Sequence, residues 1–373
     1  MVICGVIMVY LDNNASMVPY GEVLEALNEN IKNSFNAGSV HTMGRNSRAK
    51  IEKARLKIAD MMGCNAEDVL FTSGATESNN IAIMGGGETI ALVGALEHPS
   101  VLNVHPNTHI IPVDRNGIVD LEFIENFLKD KKAGDVLVSV MYASHETGTL
   151  QPIKAVAKIC AKYMQRFHVD AVQGAGKRKI DFISSGANSM AITAHKIGGV
   201  QGVGALIYNR ALNLNPLMRG GGQEKQMRPG TVNVAGCVSF GVACDICVDT
   251  MDEKTEKLDY LRDYMESEIT ARCPRVEIVA KDVDRLTGTS RIIMPNVNSE
   301  KQVMFMDLKG ICVASGSACS SGVVKESGAL RAMGYDKSCI GSSIRIGMSF
   351  ATSKDEIDEF IKIYCDMYDK MAK

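Results

Sequence analysis

Between about residue 48 and residue 250 the chain alternates stretches of helical periodicity with apolar, β-rich runs of four to six residues. Ile51, Ala54, Ile58, Met61 and Met62 recur at helical spacing and stop at Gly63, a residue suited to a helix C-cap. The short runs fall at 68–72, 89–93, 135–140, 166–170, 190–193 and 203–208, each bounded by turn residues or a helix-like stretch. That rhythm indicates parallel strands joined by crossover helices, with both faces of the sheet covered. Such sheets bind ligands where loops leave the carboxyl ends of the strands. Chemistry is therefore expected just after each run.

The chain has 373 residues, more than one core ordinarily organises. Its character changes near residue 250. Residues 252–269 read as a charged amphipathic helix, and another helix begins near Ser353, with Glu356 completing a capping box. Ile357, Phe360, Ile361 and Tyr364 make the apolar stripe of that helix. Short strands are expected at 276–279, 289–293 and 310–314. The fold class is α/β: a large domain, 15–250, with a mostly parallel sheet covered by helices, and a smaller α+β domain. The smaller one combines 1–14 with 251–373 and carries the loop around Cys319. Residues 2–11 are apolar but lack a basic leader and the length to span a bilayer, so they read as a buried strand ended by Asp12-Asn13-Asn14.

With 41 basic and 43 acidic side chains, the charge balance gives no footprint for nucleic acid and no polybasic face for a membrane. The eleven cysteines are scattered and unpatterned, which points to reduced thiols and a cytoplasmic setting. Cys237, Cys244 and Cys247 lack the paired spacing and nearby histidines of a zinc site. They sit among small and apolar residues on a helix, as buried thiols do.

Four motifs carry chemistry. In Phe71-Thr72-Ser73-Gly74-Ala75-Thr76-Glu77-Ser78-Asn79-Asn80 a strand runs through a glycine turn into a helix start, whose free N–H groups and positive dipole end suit a phosphate. Taken alone, the same residues fit a plain N-cap. His168-Val169-Asp170-Ala171-Val172-Gln173 ends a strand, and Thr193-Ala194-His195-Lys196 follows further on. An aspartate and a lysine so placed suit pyridoxal phosphate: the amine forms a Schiff base with the aldehyde, and the carboxylate keeps the pyridine nitrogen protonated. Singly, they would be a helix cap and a surface lysine. Ser315-Gly316-Ser317-Ala318-Cys319-Ser320-Ser321-Gly322 sets one cysteine among small polar residues, the solvated context that a reactive thiolate requires. Gly220-Gly221-Gly222-Gln223-Glu224, with Met227-Arg228-Pro229-Gly230-Thr231, permits close backbone approach or simply makes a long surface loop.

In this order and spacing the motifs resemble the cysteine desulfurases, a family of fold type I pyridoxal-phosphate enzymes with a seven-stranded sheet. The likeness runs from Tyr10-Leu11-Asp12-Asn13-Asn14-Ala15 to Ser342-Ser343-Ile344-Arg345. The loop around Cys319 is similar to that of the longer-loop group, which hands sulfur to scaffold proteins for iron–sulfur cluster assembly. The resemblance implies pyridoxal 5'-phosphate as cofactor, L-cysteine as substrate, a sulfur-acceptor protein as partner, and a homodimer with shared sites. It makes Lys196 the Schiff-base lysine and Asp170 the partner of the pyridinium. Ala75, Thr76, Thr193 and His195 would bind the phosphate, and Thr231 would reach the phosphate of the other subunit. Gln173 would bond the phenolic oxygen, and His98 would stack on the ring and aid proton transfer. Arg345 and Asn36 would hold the substrate carboxylate. Cys319 would be the nucleophile that becomes a persulfide. No resident metal is implied, Cys319 being at most a transient iron–sulfur ligand.

The chain departs from the family pattern in three places. His145, in Ser144-His145-Glu146-Thr147-Gly148, replaces an asparagine that contacts cofactor and substrate; an imidazole still donates a hydrogen bond but is bulkier. Ala15-Ser16-Met17 and Asn36-Ala37-Gly38-Ser39 also differ. Two other readings stay open: a selenocysteine lyase or other β-lyase on the same fold, and a non-catalytic sulfur carrier impaired by His145.

Overall fold

The computed structural model describes residues 2–3, 6–316 and 327–372. The first strands are short. β1 (Val2–Ile3) and β2 (Val6–Ile7) pair with each other antiparallel, whereas β3 (Val9–Tyr10) pairs in parallel with Ile311–Cys312. The single buried strand expected over 2–11 is thus several pieces, because its two halves find different partners. Helices α1 (Gly21–Lys32) and α2 (Thr42–Met62) follow. The His41 ring caps α2 by accepting from the Gly44 N–H at 3.3 Å, and Gly63 ends it at φ +58°, the left-handed cap that the sequence promises.

The central unit then unrolls as β4 (Val69–Thr72), α3 (Ala75–Met84), β5 (Ile90–Gly94), α4 (Pro99–Leu102), β6 (Thr108–Ile111) and α5 (Leu121–Leu128). It continues with β7 (Val136–Ser139), α6 (Ile153–Lys162), β8 (Arg166–Asp170), α7 (Phe182–Ser185), β9 (Ser189–Thr193) and β10 (Gly204–Tyr208). Its seven strands stand in the order β4-β10-β9-β8-β7-β5-β6. The sheet is mostly parallel, as expected, with one exception: β10 runs antiparallel to both β4 and β9. Ten residues separate Thr193 from Gly204, and a parallel return needs about a dozen or more.

α8 (Val234–Arg272) is one helix of 39 residues, joining the segment of buried cysteines to the charged segment that the sequence sets apart. Beyond it come β11 (Glu277–Ile278), β12 (Thr289–Ile293), α9 (Ser299–Leu308), β13 (Ile311–Cys312), α10 (Gly328–Ala332), α11 (Lys337–Ile340), β14 (Ser343–Gly347) and α12 (Lys354–Met371). β11, β12 and β14 form an antiparallel sheet. Ser353 and Glu356 make the expected capping box. One apolar cluster packs Ile58, Phe71, Phe167, Phe240 and Cys244 around the large sheet; another packs Leu11, Leu258, Met265, Ile344, Phe360 and Tyr364. Each such buried side chain is worth about 1.5–3 kcal/mol. Together they fix the strand ends that carry the site.

Candidate active site

A cavity of about 520 Å³ opens at the carboxyl ends of the parallel strands. The turn after β4 supplies Ser73 to Glu77, the loop after β5 supplies His98, and the loop after β7 supplies His145. The end of β8 and the turn after it contribute Asp170 and Gln173, and the end of β9 with the turn after it contributes Thr193, His195 and Lys196. β10 begins where its neighbours end, so Gln201 and Gly202 join the same rim, and Arg345 reaches in from β14. Ala75, Thr76, His98, His145, Asp170, Gln173, Thr193, His195, Lys196 and Arg345 therefore face one space.

Two of the site residues named from sequence are elsewhere. Asn36 sits in an exposed turn after α1, where its Oδ1 accepts the Gly38 N–H at 2.9 Å, and it does not line the cavity. Its short side chain is spent on the local turn. Thr231 is exposed and lines a separate, smaller recess. Cys319 lies outside the described residues.

The floor of the cavity is a buried polar network. Asp170 Oδ2 accepts from Asn79 Nδ2 at 2.8 Å, and its Oδ1 accepts the Val172 N–H at 3.1 Å. Asn79 also donates to Ser100 Oγ at 2.9 Å and contacts His168 Nε2 through Oδ1 at 2.9 Å. Burial, reinforced by Arg166, pushes His168 down to about 3, so its ring is neutral. Beside this group Glu97 is 3% exposed and accepts from the Met141 N–H. Burial first and the Asp170 charge second raise its carboxyl well above the ordinary value. The floor thus holds two carboxyls, of which Glu97 is biased toward its protonated form.

At the other end the α3 N-terminus presents the N–H groups of Ala75 and Thr76, which helix geometry leaves without intrahelical partners. Gly204 shows how tightly the chain is drawn in here: a Cβ on it would lie 2.7 Å from Gly74 Cα. Glu77 would place an unwelcome charge beside this turn, but Arg228 Nε holds it at 2.8 Å and the Ser73 N–H at 2.6 Å. Burial pushes the Glu77 carboxyl up, and those two partners outweigh it, leaving it below the usual range.

Between the two ends sits Lys196. Its Nζ donates to the carbonyls of Asn14 and Ala15, the latter at 2.9 Å. Gln173 Nε2 donates to the same Asn14 carbonyl at 3.0 Å. His195 and His145 are each pushed down to about 4, mainly by burial, so the lysine has neutral imidazoles around it. The rings of His98 and His145 meet edge to face at 6.2 Å, and His98 Nδ1 is tied to Ser100 Oγ at 2.8 Å. Arg345 binds Asp12 at 2.6 Å and the His145 carbonyl at 3.1 Å. Behind it, Glu146 accepts from Ser327 Oγ at 2.6 Å and faces the fully buried Arg291 at 3.7 Å.

Sequence reasoning missed Ser100, Glu97, Lys177 and the Asn14 carbonyl, and it quoted Asn79 without giving it a role. Buried charges carry no mark in a sequence. Asn79 had one signal: it sits a helical turn beyond Ala75, on the face that turns toward the strand ends.

Comparison with known proteins agrees with this geometry. The profile of the Aminotransferase class-V family matches residues 9–360. Cysteine desulfurase IscS of Dictyoglomus turgidum is 34% identical, over 97% of this chain and 95% of its own. Cysteine desulfurase NifS of Azotobacter vinelandii is 33% identical, over 95% and 91%. The X-ray structure of a NifS-like protein from Rickettsia africae superposes with a TM-score of 0.91 at 35% identity, covering 97% of this chain and 99% of that one. The chain belongs to the class-V aminotransferase family and, within it, to the cysteine desulfurases.

Proposed function

We propose that this protein is a pyridoxal 5'-phosphate-dependent cysteine desulfurase. It would convert L-cysteine to L-alanine and pass the sulfur, as a persulfide on Cys319, to an acceptor protein. The observation that carries the reading is the meeting of Asp170, Lys196 and the α3 N-terminus on one cavity. The residues present fit the cofactor: a helix start with Ala75, Thr76, Thr193 and His195 for its phosphate, a buried carboxylate for its ring nitrogen, and an amine for its aldehyde. When bound, the cofactor supplies an electron sink for the charge that develops at the substrate Cα.

The chain's own groups do the rest. Asp170 provides a fixed negative charge, kept in place by Asn79 and the Val172 N–H. Lys196 anchors the cofactor and carries the proton at Cα, assisted by His98, whose ring Ser100 orients. Gln173 would donate to the phenolic oxygen of the cofactor. Arg345 binds the substrate carboxylate in exchange for part of its contact with Asp12. The Cys319 thiolate attacks the substrate sulfur, an S–S bond forming as the C–S bond breaks; the electron pair left on carbon takes up protons to give alanine.

The same reading makes the protein a homodimer in which Thr231 serves the neighbouring site, supported by its exposure away from its own cavity. Residues 15–250 form the large domain, and 1–14 with 251–373 the small one. The setting is cytoplasmic, the acceptor a scaffold for iron–sulfur clusters, and neither nucleic acid nor membrane takes part. Incubation of the purified protein with cysteine and a reductant, with alanine and sulfide both quantified, tests the activity. Equimolar products are expected, and absence of alanine sinks the reading. Faster turnover of selenocysteine than of cysteine would favour the lyase.

A further inference from the structure

Ser315 and Ser327 stand on either side of Cys319 in the chain. Both are tied to one buried ion pair. Arg291, in the middle of β12, is fully buried, and its Nη2 donates to the Ser315 carbonyl at 2.9 Å and to Ser343 Oγ of β14 at 2.7 Å. Glu146, in the loop after β7, is buried too, and its Oε2 accepts from Ser327 Oγ at 2.6 Å. That same oxygen stands 3.7 Å from Arg291 Nη1. Ser315 and Ser327 are thus joined through two side chains that belong to neither.

The join lies against the cavity. Arg291 is the cross-strand partner of Arg345, a cavity residue. The Arg345 N–H donates to the Ala314 carbonyl at 2.7 Å, one residue before Ser315. Glu146 follows His145, another cavity residue, whose carbonyl Arg345 holds at 3.1 Å.

We infer that Glu146 and Arg291 are positioning residues for the thiol of Cys319: together they hold both ends of the segment that carries it beside Arg345. The inference rests on the function proposed above.

Reach gives the first reason. Cys319 is four residues beyond Ser315 and eight before Ser327, and extended chains of those lengths span at most about 14 Å and about 28 Å. Fixing Ser315 next to Arg345 keeps the thiol within a short radius of the cavity, and fixing Ser327 closes the segment on itself. Closure of this kind lowers the entropy lost when a reacting group is brought to its partner. Cost gives the second. Arg291 and Arg345 lie opposite each other as like charges, which opposes strand pairing. Among the described residues, Nε and Nη1 of Arg291 are buried without a hydrogen-bond acceptor. Apolar side chains of the same volume would often serve a core as well as such a pair, so the two ends it holds are the reason for keeping it.

Hydrogen exchange of the full-length protein, read by mass spectrometry, tests the join. The Ala314 N–H, which donates to the Arg345 carbonyl, reports one end, and the Leu330 N–H, which donates to Ser327 Oγ, reports the other. Arg291→Met removes only the bonds at the Ser315 end, yet exchange should quicken at Leu330 as well, by about tenfold, the worth of one hydrogen bond to a charged group. Ser327→Ala, which serves if that variant does not fold, should quicken exchange at Ala314. Exchange in β5 to β8 should stay as in wild type.

Sulfur on Cys319 after brief exposure to cysteine should form about tenfold more slowly in both variants. Pyridoxal phosphate uptake and the absorbance change on adding cysteine should remain, and Ser327→Thr, which keeps the hydroxyl, should restore the rate. Exchange that quickens only at the substituted end, or throughout the sheet, overturns the inference. So does sulfur reaching Cys319 at the wild-type rate, or a loss confined to cofactor uptake. A wild type that takes up no pyridoxal phosphate or forms no persulfide defeats the functional reading instead, and the exchange still judges the join.

Discussion

Glu97, beside Asp170 after β5, and Glu146, beside Arg291 after β7, are buried to the same degree, 3% and 2% exposed. Their carboxyls are shifted in opposite directions. Burial raises both carboxyls. Around Glu97 the nearest charge is another carboxylate, which raises it further. Around Glu146, Arg291 and His145, with the Ser327 hydroxyl and Arg345, outweigh burial and bring it below the ordinary range. Depth alone therefore does not set the charge of this site; the partners do. On the floor Glu97 is biased toward its protonated form, and Asp170 is the carboxyl that lines the cavity. On the far wall Glu146 faces Arg291, while Arg345 is held by Asp12 and the His145 carbonyl.

The largest effect should come from removing the Asp170 carboxyl from the floor. Asp170→Ala should fold and lose alanine production by on the order of a thousandfold, since the electrostatic support is then absent; steady-state kinetics measures this. Activity within tenfold of wild type would break the contrast.

On the far wall, Glu146→Gln strips Arg291 of its counter-charge. Breaking such a buried pair costs about 3–5 kcal/mol, measurable by urea denaturation at neutral pH. The pH dependence has a definite sign. The folded-state value of Glu146 lies below the unfolded one, so its contribution is present above the ordinary glutamate value and is lost as pH falls through the lowered value. The gap between wild type and variant should close in acid.

A smaller effect belongs to Asn79→Ala, which leaves Asp170 Oδ2 and His168 Nε2 each without a partner at a cost of about 1–3 kcal/mol. Thermal unfolding reports it, and weaker cofactor uptake should accompany it.

The smallest is Glu97→Gln. Glutamine keeps the shape of the protonated carboxyl and its acceptor for the Met141 N–H, so the variant should fold with little change in acid. Glu97 has a raised folded-state value, so its contribution is complete below the ordinary glutamate value and is lost as pH rises through the raised one. The glutamine variant should therefore gain on wild type toward alkaline pH. A variant that loses ground there would show that Glu97 is charged.

Much of this was legible in the sequence. Arg166–Asp170 is a strand to the residue because an apolar run lies between a turn and a polar loop. Asp170 and Lys196 could be paired because both follow such runs. β6 was missed because it is an edge strand whose His109 and Ile110 are exposed, so it lacks the uniform apolarity of its neighbours. β14 was missed because Arg345 sits in its middle, and a strand that buries an arginine does so for Asp12 and the cavity, not for the core. The antiparallel direction of β10 leaves no trace in composition, only in the brevity of the loop before it. Glu97 and Lys177 were missed for one reason: a buried charge is spelled like a surface one, and only the fold tells them apart.

The account's central claim is that Lys196, and no other lysine, anchors the cofactor in this cavity. Loading the protein with pyridoxal phosphate, reducing it with borohydride and mapping the modified peptide by mass spectrometry tests it most directly. The expected result is one pyridoxyl group, on Lys196. Label on Lys177 or on a surface lysine, or no label at all, would contradict the claim.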